Sequence, residues 1–136
     1  MTSKQPNGSA FDAICAVDYT VVIVRDMAAM RTFYQGILRF SVARELSENW
    51  IEYQIGPTIL ALSNPGRTGQ DVPTPMGSAA LQLAFKVPVR SVDACAAELA
   101  DQGIAILSPP TNRDFGHRTL FFRDPDGNLI EIFAEI

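Results

Sequence analysis

The sequence has few of the residues that build metal centres and disulfide frameworks. Its 136 residues include one histidine, His117, and two cysteines, Cys15 and Cys95, which are too far apart to form a CxxC motif. Secreted disulfide scaffolds and zinc sites use more cysteines or histidines at closer spacing. We therefore expect reduced, buried thiols in a cytoplasmic protein.

Long apolar runs and basic runs are also missing. No stretch approaches the roughly 18 apolar residues of a membrane span, and the polar start of the chain, MTSKQPNGSA, lacks the apolar segment of a signal peptide. The net charge is −4 and the pI is near 4.8, which argues against nucleic acid or an anionic membrane as a partner. A small molecule is the expected partner.

The composition suits one globular domain, since 47% of the residues are apolar and 19% are charged. We expect residues 1–12 to be a disordered tail and residues 13–136 to form a single domain. Residues 64–78 are rich in proline and glycine, which is typical of a linker. This linker is unusually long for a compact domain, so it is either mobile or part of a site.

Apolar periodicity predicts two helices among a larger number of strands. The first helix begins after Asp26 as N-cap, because apolar residues recur at helical spacing from Met27 to Leu38. The second opens at Ser91 or Val92 and ends at Gly103. The expected strands are Ala13–Val24, Ser41–Glu45, Trp50–Ile55, Thr58–Ser63, Ala79–Val87 and Ile104–Leu107, after which Pro109-Pro110 breaks the chain.

The stretch from Gly116 to Ala134 reads as two strands around a tight turn. Pro125 presets φ at the first corner of the turn, and Gly127 tolerates a positive φ. The second strand is apolar on both faces except at Glu131. Burying a bare carboxylate costs several kcal/mol, so Glu131 must find a proton, a partner or a metal.

The two halves of the chain repeat one pattern of a strand, a helix and three strands. Tyr19–Asp26 in the first half corresponds to Gln82–Val89 in the second, and Thr58–Ser63 corresponds to Asn128–Phe133. The pattern predicts an internal duplication, with one module at about 13–63 and the other at about 79–136. Neither module could be stable alone, because each exposes one apolar sheet face.

This duplication resembles the vicinal oxygen chelate superfamily, which includes glyoxalase I, bleomycin-resistance proteins, extradiol dioxygenases, fosfomycin-resistance enzymes and methylmalonyl-CoA epimerase. The resemblance is carried by D-P-D-G-N-x-x-E, from Asp124 to Glu131, and by D-M-x-x-M-x-x-F-Y, from Asp26 to Tyr34. It implies an α+β fold in which two βαβββ modules form a curled, mostly antiparallel sheet with the helices outside. It also implies a homodimer, whose modules pair within one chain or swap between chains.

In enzymes of this superfamily a divalent metal is held at four strand positions, two from each module. The duplication maps these positions to Tyr19, Ala61, Gln82 and Glu131. Ala61 cannot ligate a metal, and the phenol of Tyr19 would have to ionise first. Gln82 and Glu131 supply two donors, whereas zinc, nickel or iron sites need three or more. The resemblance thus implies a degenerate site with no resident metal, or alternatively a divalent ion held on Gln82 and Glu131.

Six side chains are the candidates for the site: Glu131 as the catalytic or pocket carboxylate, and Tyr19, Trp50, Gln82, His117 and Arg118 as ligand-binding residues. Gln82 has only alanines beside it on its own face of the strand, which leaves room for a ligand. Trp50 could stack on a planar ligand or pack in the core or a dimer contact. Glu131 could instead be a structural remnant bonded to Tyr19 or Gln82.

Each polar residue of the last hairpin has both a functional and a purely structural interpretation. His117 could act as a base or a third metal ligand, or it could simply be a turn histidine at a strand end. Arg118, like Arg113 and Arg123, could meet an anionic ligand or lie at a solvated edge.

Two functions follow from the resemblance. The first is a metal-free protein that sequesters a small, cationic or aromatic molecule, as in the bleomycin-resistance branch. The alternative is a metal-dependent lyase, epimerase or dioxygenase of glyoxalase type, in which the ion would polarise a substrate oxygen pair. Between them lies a metal-free lyase or isomerase with Glu131 as base.

Overall fold

The structure is a computed structural model that describes residues 8–66, 74–75 and 78–136. It contains two four-stranded sheets, two helices and one short 3-10 turn. The strands are β1 (Tyr19–Ile23), β2 (Ser41–Ser47), β3 (Trp50–Ile55), β4 (Thr58–Ser63), β5 (Gln82–Lys86), β6 (Ile106–Asn112), β7 (His117–Arg123) and β8 (Leu129–Glu135). The helices are α1 (Met27–Arg31), which continues as a π-helix over Thr32–Ile37, and α2 (Val89–Asp101). No helix in these ranges is long and apolar enough to cross a membrane.

The sheet topology confirms the α+β class and the duplication. Sheet 1 has the order β1-β4-β3-β2, and sheet 2 has the order β5-β8-β7-β6. In each sheet the first strand pairs in parallel with the last, and the other pairs are antiparallel. The registers are equivalent, since Val21 lies opposite Ala61 in sheet 1 and Ala84 lies opposite Glu131 in sheet 2.

Both modules bury one sheet face in a single core. Leu60 and Leu62 of β4 and Ile130 and Ile132 of β8 point into the same hydrophobic cluster, together with Phe33, from the helical segment of module 1. The ring centroid of Phe33 lies 6.2 Å from that of Phe122 in β7. In this chain the two modules therefore pack against each other.

The first strand is shorter than expected. The sequence predicted a strand over Ala13–Val24, but β1 begins at Tyr19 because its partner β4 begins at Thr58 and offers no backbone groups further along. The preceding residues Ala10–Ala13, partly within the segment expected to be a disordered tail, form one 3-10 turn. Cys15 lies between the turn and the strand and is exposed, so the expectation of a buried thiol is wrong there.

The expected break at Pro109-Pro110 is also wrong. Both prolines lie inside β6, which is the edge strand of sheet 2. Prolines have no N–H to donate to a ladder, and edge strands and bulges tolerate that loss. The register of β6 on β7 shifts between Ser108 and Thr111, which spans the two prolines.

The helix boundaries follow local chemistry. The side chain of Asp26 caps α1 by accepting from the Ala29 N–H at 3.0 Å, as the sequence predicted. The helix α2 begins at Val89, earlier than the expected Ser91 or Val92, with Pro88 as its N-cap. Gly103 follows its end with φ +76°, which agrees with a glycine stop signal. The predicted linker 64–78 lies mostly outside the described residues.

Replacement of Gly127 by valine should lower the free energy of unfolding by more than about 1 kcal/mol. Gly127 closes the turn by donating its N–H to the Asp124 carbonyl at 2.9 Å, and its φ of +92° is strained for a β-branched residue. Urea unfolding measures the loss. Gly36→Ala is the control, since a Cβ at this helical position would meet no atom closer than 4.0 Å. An unchanged urea midpoint for Gly127→Val would show that the turn does not require glycine.

Candidate functional site

The four positions mapped by the duplication each lie on the side of their own sheet that faces away from the core. Tyr19, Ala61, Gln82 and Glu131 alternate with residues that pack in or against the core, so they lie on the opposite side of the sheets. We call this side the open face. A pocket of about 520 Å³ lies between the β1 and β5 edges, with Tyr19 on one side and Ala84 on the other.

On the open face of sheet 2, two polar side chains form a hydrogen-bonded pair. The side-chain amide of Gln82 donates to Glu131 Oε1 at 3.2 Å. Gln82 is exposed and Glu131 is half-buried. Ala84, directly across the ladder from Glu131, is small and exposed. The carboxylate therefore has open space beside it and a neutral neighbour to orient it.

On sheet 1 the equivalent half of the open face is filled. Ala61 and Ser63 are 0% and 1% exposed, and Glu52 and Trp50 of β3 lie across the ladder from them. Because Trp50 Nε1 donates to Glu52 Oε2 at 2.7 Å, the indole expected to stack on a ligand is bound to a carboxylate. This bond, with a smaller contribution from Arg44, lowers the pKa of Glu52, so Glu52 is ionised at neutral pH.

Sequence reasoning missed Glu52. The signal that could have found it is the alternation of Trp50, Glu52 and Gln54 with the buried Ile51 and Tyr53 along β3. That period of two places the polar residues on the open face.

The donor set does not fit a resident divalent metal. The described residues contain no group of three or more His, Cys, Asp or Glu side chains that could hold an ion. Ala61 has no donor atom, and the phenol of Tyr19 is not among the thiolate, imidazole and carboxylate groups that usually bind divalent metals. The oxygens of Gln82 and Glu131 alone are fewer than a tight site requires.

His117 reaches the open face but is held by aromatic rings. Its ring stacks on Phe133 with centroids 4.6 Å apart and planes at 23°, and Phe115 meets it edge-on at 5.2 Å. Phe133 lies two residues beyond Glu131 on the same face of β8. The structure thus places His117 on the same face as Glu131, opposite Glu135 in the ladder and separated from Glu131 by Phe133.

Arg118 is not brought to the other candidates. It lies opposite the buried Ala134 and points to the helix side, where it donates to Asn112 Oδ1 at 2.9 Å and to Asp93 Oδ1 of α2 at 2.8 Å. Arg113, by contrast, lies on the open face, where its guanidinium donates to Thr119 and Ser108. Sequence reasoning treated both as equivalent edge residues.

The D-P-D-G-N motif lies in the core and links the modules. The Asp124 carboxylate accepts from Tyr34 Oη at 2.8 Å and from the Asn128 backbone and side chain at 3.0 Å each. Burial, and next the charge of Asp124, hold the pKa of Tyr34 well above its usual value. Asp126 Oδ2 accepts the Arg25 backbone N–H at 2.6 Å, and the Arg25 guanidinium donates to the Asp126 carbonyl. Burial raises the pKa of Asp126.

Comparison with known proteins agrees with this architecture. A family model described as "Glyoxalase/Bleomycin resistance protein/Dioxygenase superfamily" matches residues 16–132. The curated Virulence protein STM3117 of Salmonella typhimurium is 31% identical over 122 residues, which cover 85% of this chain and 81% of that protein.

Solved structures show the same fold. A glyoxalase/bleomycin resistance protein/dioxygenase from Nocardioides superposes with a TM-score of 0.77 at 21% identity, covering 91% of this chain and 85% of that one. A glyoxalase/dioxygenase from Nostoc punctiforme gives 0.75 at 25% identity, covering 98% and 99%. A lactoylglutathione lyase from Agrobacterium tumefaciens gives 0.72 at 18% identity, covering 88% and 92%.

Proposed function

Because the chain belongs to the glyoxalase/bleomycin resistance protein/dioxygenase superfamily, we propose that it binds and sequesters a small organic molecule on its open face without a resident metal. The observation that carries this proposal is the donor set. Glu131 is hydrogen-bonded to Gln82, while the equivalent position of sheet 1 is the buried Ala61. Glu131 is thus a carboxylate on this face with no ion-pair partner among the described residues, and the four mapped positions offer too few donors for a resident ion.

The chemistry of the open face favours a ligand that has a cationic or hydrogen-bond-donating group on a flat apolar body. Glu131 would accept from that group, and Gln82 would hold the carboxylate in place. Tyr19 is 53% exposed beside the pocket, and the His117–Phe133 stack adds a second aromatic surface. Aromatic side chains pack well against planar ligands and cations.

The proposal also includes an oligomeric state and a cellular compartment. The exposed apolar side chains before β1 (Phe11 at 75%, Ile14 at 63% and Val17 at 86% exposure) support a homodimer in which a second copy covers them. The two free thiols support a reducing compartment such as the cytoplasm.

The proposal is tested by titrating the protein with proflavine, a planar organic cation, and separately with Zn²⁺, Ni²⁺, Mn²⁺ and Fe²⁺. Proflavine should raise the melting temperature and bind with a Kd that Glu131→Gln weakens about 10-fold, which corresponds to about 1.4 kcal/mol. Metals alone should give no thermal shift. Glu98→Gln is the matched control, because Glu98 is an exposed carboxylate on α2.

A stoichiometric metal that survives dialysis and is lost in Glu131→Ala would overturn the proposal. That result would favour the metal-dependent lyase, epimerase or dioxygenase instead. Proflavine affinity equal in Glu131→Gln and the wild type would place the ligand away from this carboxylate.

A further inference from the structure

Arg113 is a cation on the open face that neutral groups hold in position. It follows β6, and its backbone N–H donates to the His117 carbonyl at 2.7 Å. Its Nε donates to Thr119 Oγ1 at 2.9 Å, and its Nη2 donates to Ser108 Oγ at 3.1 Å. Thr119 is 1% exposed, so one of the two anchors of the guanidinium is buried in sheet 2.

The charge of Arg113 has no carboxylate partner within the described ranges. The ion pairs found there are Arg31–Glu45, Arg44–Glu52, Lys86–Glu135 and Arg118–Asp93. A guanidinium has five N–H donors in a planar fork that matches carboxylate and phosphate oxygens. The two hydroxyl groups accept from part of this fork, and the remaining donors are available to an anion.

The strand register places this cation near Glu131. Ser108 of β6 lies opposite Phe121 of β7, and Phe121 lies opposite Glu131 of β8. Thr119 lies two residues from Phe121 on the same face. Neighbouring strands are about 4.8 Å apart and successive residues are about 3.4 Å apart along a strand, so the anchors of Arg113 are roughly 8–10 Å from Glu131 across the sheet. An aromatic surface separates the two charges.

We infer that Arg113 binds an anionic group of the ligand, so that the ligand is a zwitterion with an acidic group at one end and an amino group at the other. The inference deepens the proposed function and rests on it, because the amino group would lie on Glu131. A carboxylate or a phosphate would accept two parallel hydrogen bonds from the guanidinium. The flat body of the ligand would cover the rings of Phe121 and Phe133.

The test uses 4-(aminomethyl)benzoate, a rigid zwitterion, with benzylamine and benzoate as probes that each carry one of its charges. Binding is followed by chemical-shift titration of the ¹⁵N-labelled protein. The zwitterion should bind about 10-fold more tightly than benzylamine, the gain expected of one charge-assisted hydrogen-bond pair. Arg113→Gln should abolish that gain and leave benzylamine binding unchanged. Arg90→Gln, at an exposed position of α2, should behave as the wild type.

A second variant separates binding from folding. Arg113→Lys keeps the positive charge and should retain part of the gain, whereas a general folding defect would lower the binding of all three probes together. Benzylphosphonate in place of benzoate distinguishes a phosphate-type from a carboxylate-type ligand by their relative affinities.

Equal affinity of Arg113→Gln and the wild type for 4-(aminomethyl)benzoate would overturn the inference, as would no binding of any anionic probe at millimolar concentration. A different result would contradict the proposed function while leaving the anion site in place. If benzoate binds in an Arg113-dependent way while benzylamine binding is absent or independent of Glu131, the anion site stands and the cation site does not.

Discussion

Replacing Asp124 with alanine should lower the free energy of unfolding by about 3–5 kcal/mol, because it leaves several buried donors without an acceptor. Asp124 is 4% exposed. Its Oδ1 accepts from the backbone N–H groups of Asp126 and Asn128 at 3.0 Å each. Its Oδ2 accepts from Tyr34 Oη at 2.8 Å and from Asn128 Nδ2 at 3.0 Å.

Urea unfolding of a short series measures this effect. Asp124→Asn keeps an oxygen for the backbone donors but points an amide toward Asn128, so its loss should be smaller than that of the alanine variant. Tyr34→Phe removes one bond and should cost about 1–2 kcal/mol. Asp101→Ala, at an exposed position at the end of α2, should stay within about 0.5 kcal/mol of the wild type. A loss below about 1 kcal/mol for Asp124→Ala would show that the network is not needed for stability.

This network explains why the fold was predictable from the sequence. The features that identified it act over short distances: the Asp26 side chain caps its own helix, and Gly127 adopts the positive φ of its own turn. The remaining contact, from Tyr34 to Asp124, joins the two stretches that carried the family resemblance. Those stretches are recognisable because they hold the two modules together.

The composition of the open face was less predictable, because it depends on contacts between distant residues. Arg113 and Arg118 are alike in sequence, yet register and the irregular pairing of β6 direct them to opposite sides of sheet 2. The role of Trp50 could not be predicted from the sequence either. Its hydrogen bond to Glu52 closes the open face of sheet 1 because the register of β3 on β4 places Glu52 opposite Ala61. The alternation of residues along one strand predicts which side of the sheet a side chain lies on, but the neighbouring strand determines which side chains pack against it.

The filled half of the open face leads to the second large effect. Ala61→Glu, which would place a carboxylate at the position where the superfamily's enzymes carry a metal ligand, should lower the free energy of unfolding by about 3–5 kcal/mol. Ala61 is 0% exposed, so a longer side chain overpacks the sheet. Its carboxylate would also lie directly across the ladder from ionised Glu52, and like charges in that arrangement repel.

Controls separate volume from charge. Ala61→Gln adds nearly the same volume without charge and should cost less than Ala61→Glu. The Glu52→Gln background should recover part of the difference, which a double-mutant cycle by urea unfolding measures. The pH dependence has a definite sign. Burial and Glu52 would raise the folded-state pKa of the new carboxyl above its unfolded value, so the penalty is fully present at neutral pH. The part of the penalty that comes from charge should shrink as pH falls through the raised folded-state pKa, and it should be lost below the unfolded-state pKa of about 4.3, where both states are protonated.

The opposite result would change the account of the site. Ala61→Glu could instead be as stable as the wild type and bind Zn²⁺ stoichiometrically together with Gln82 and Glu131. In that case the sheet 1 half of the open face would have room for a longer side chain, and one substitution would be enough to restore a metal ligand there. The observed burial of Ala61 and Ser63 argues otherwise. The Trp50–Glu52 pair across the ladder from them means that restoring a metal site would require changes on β3 as well as β4.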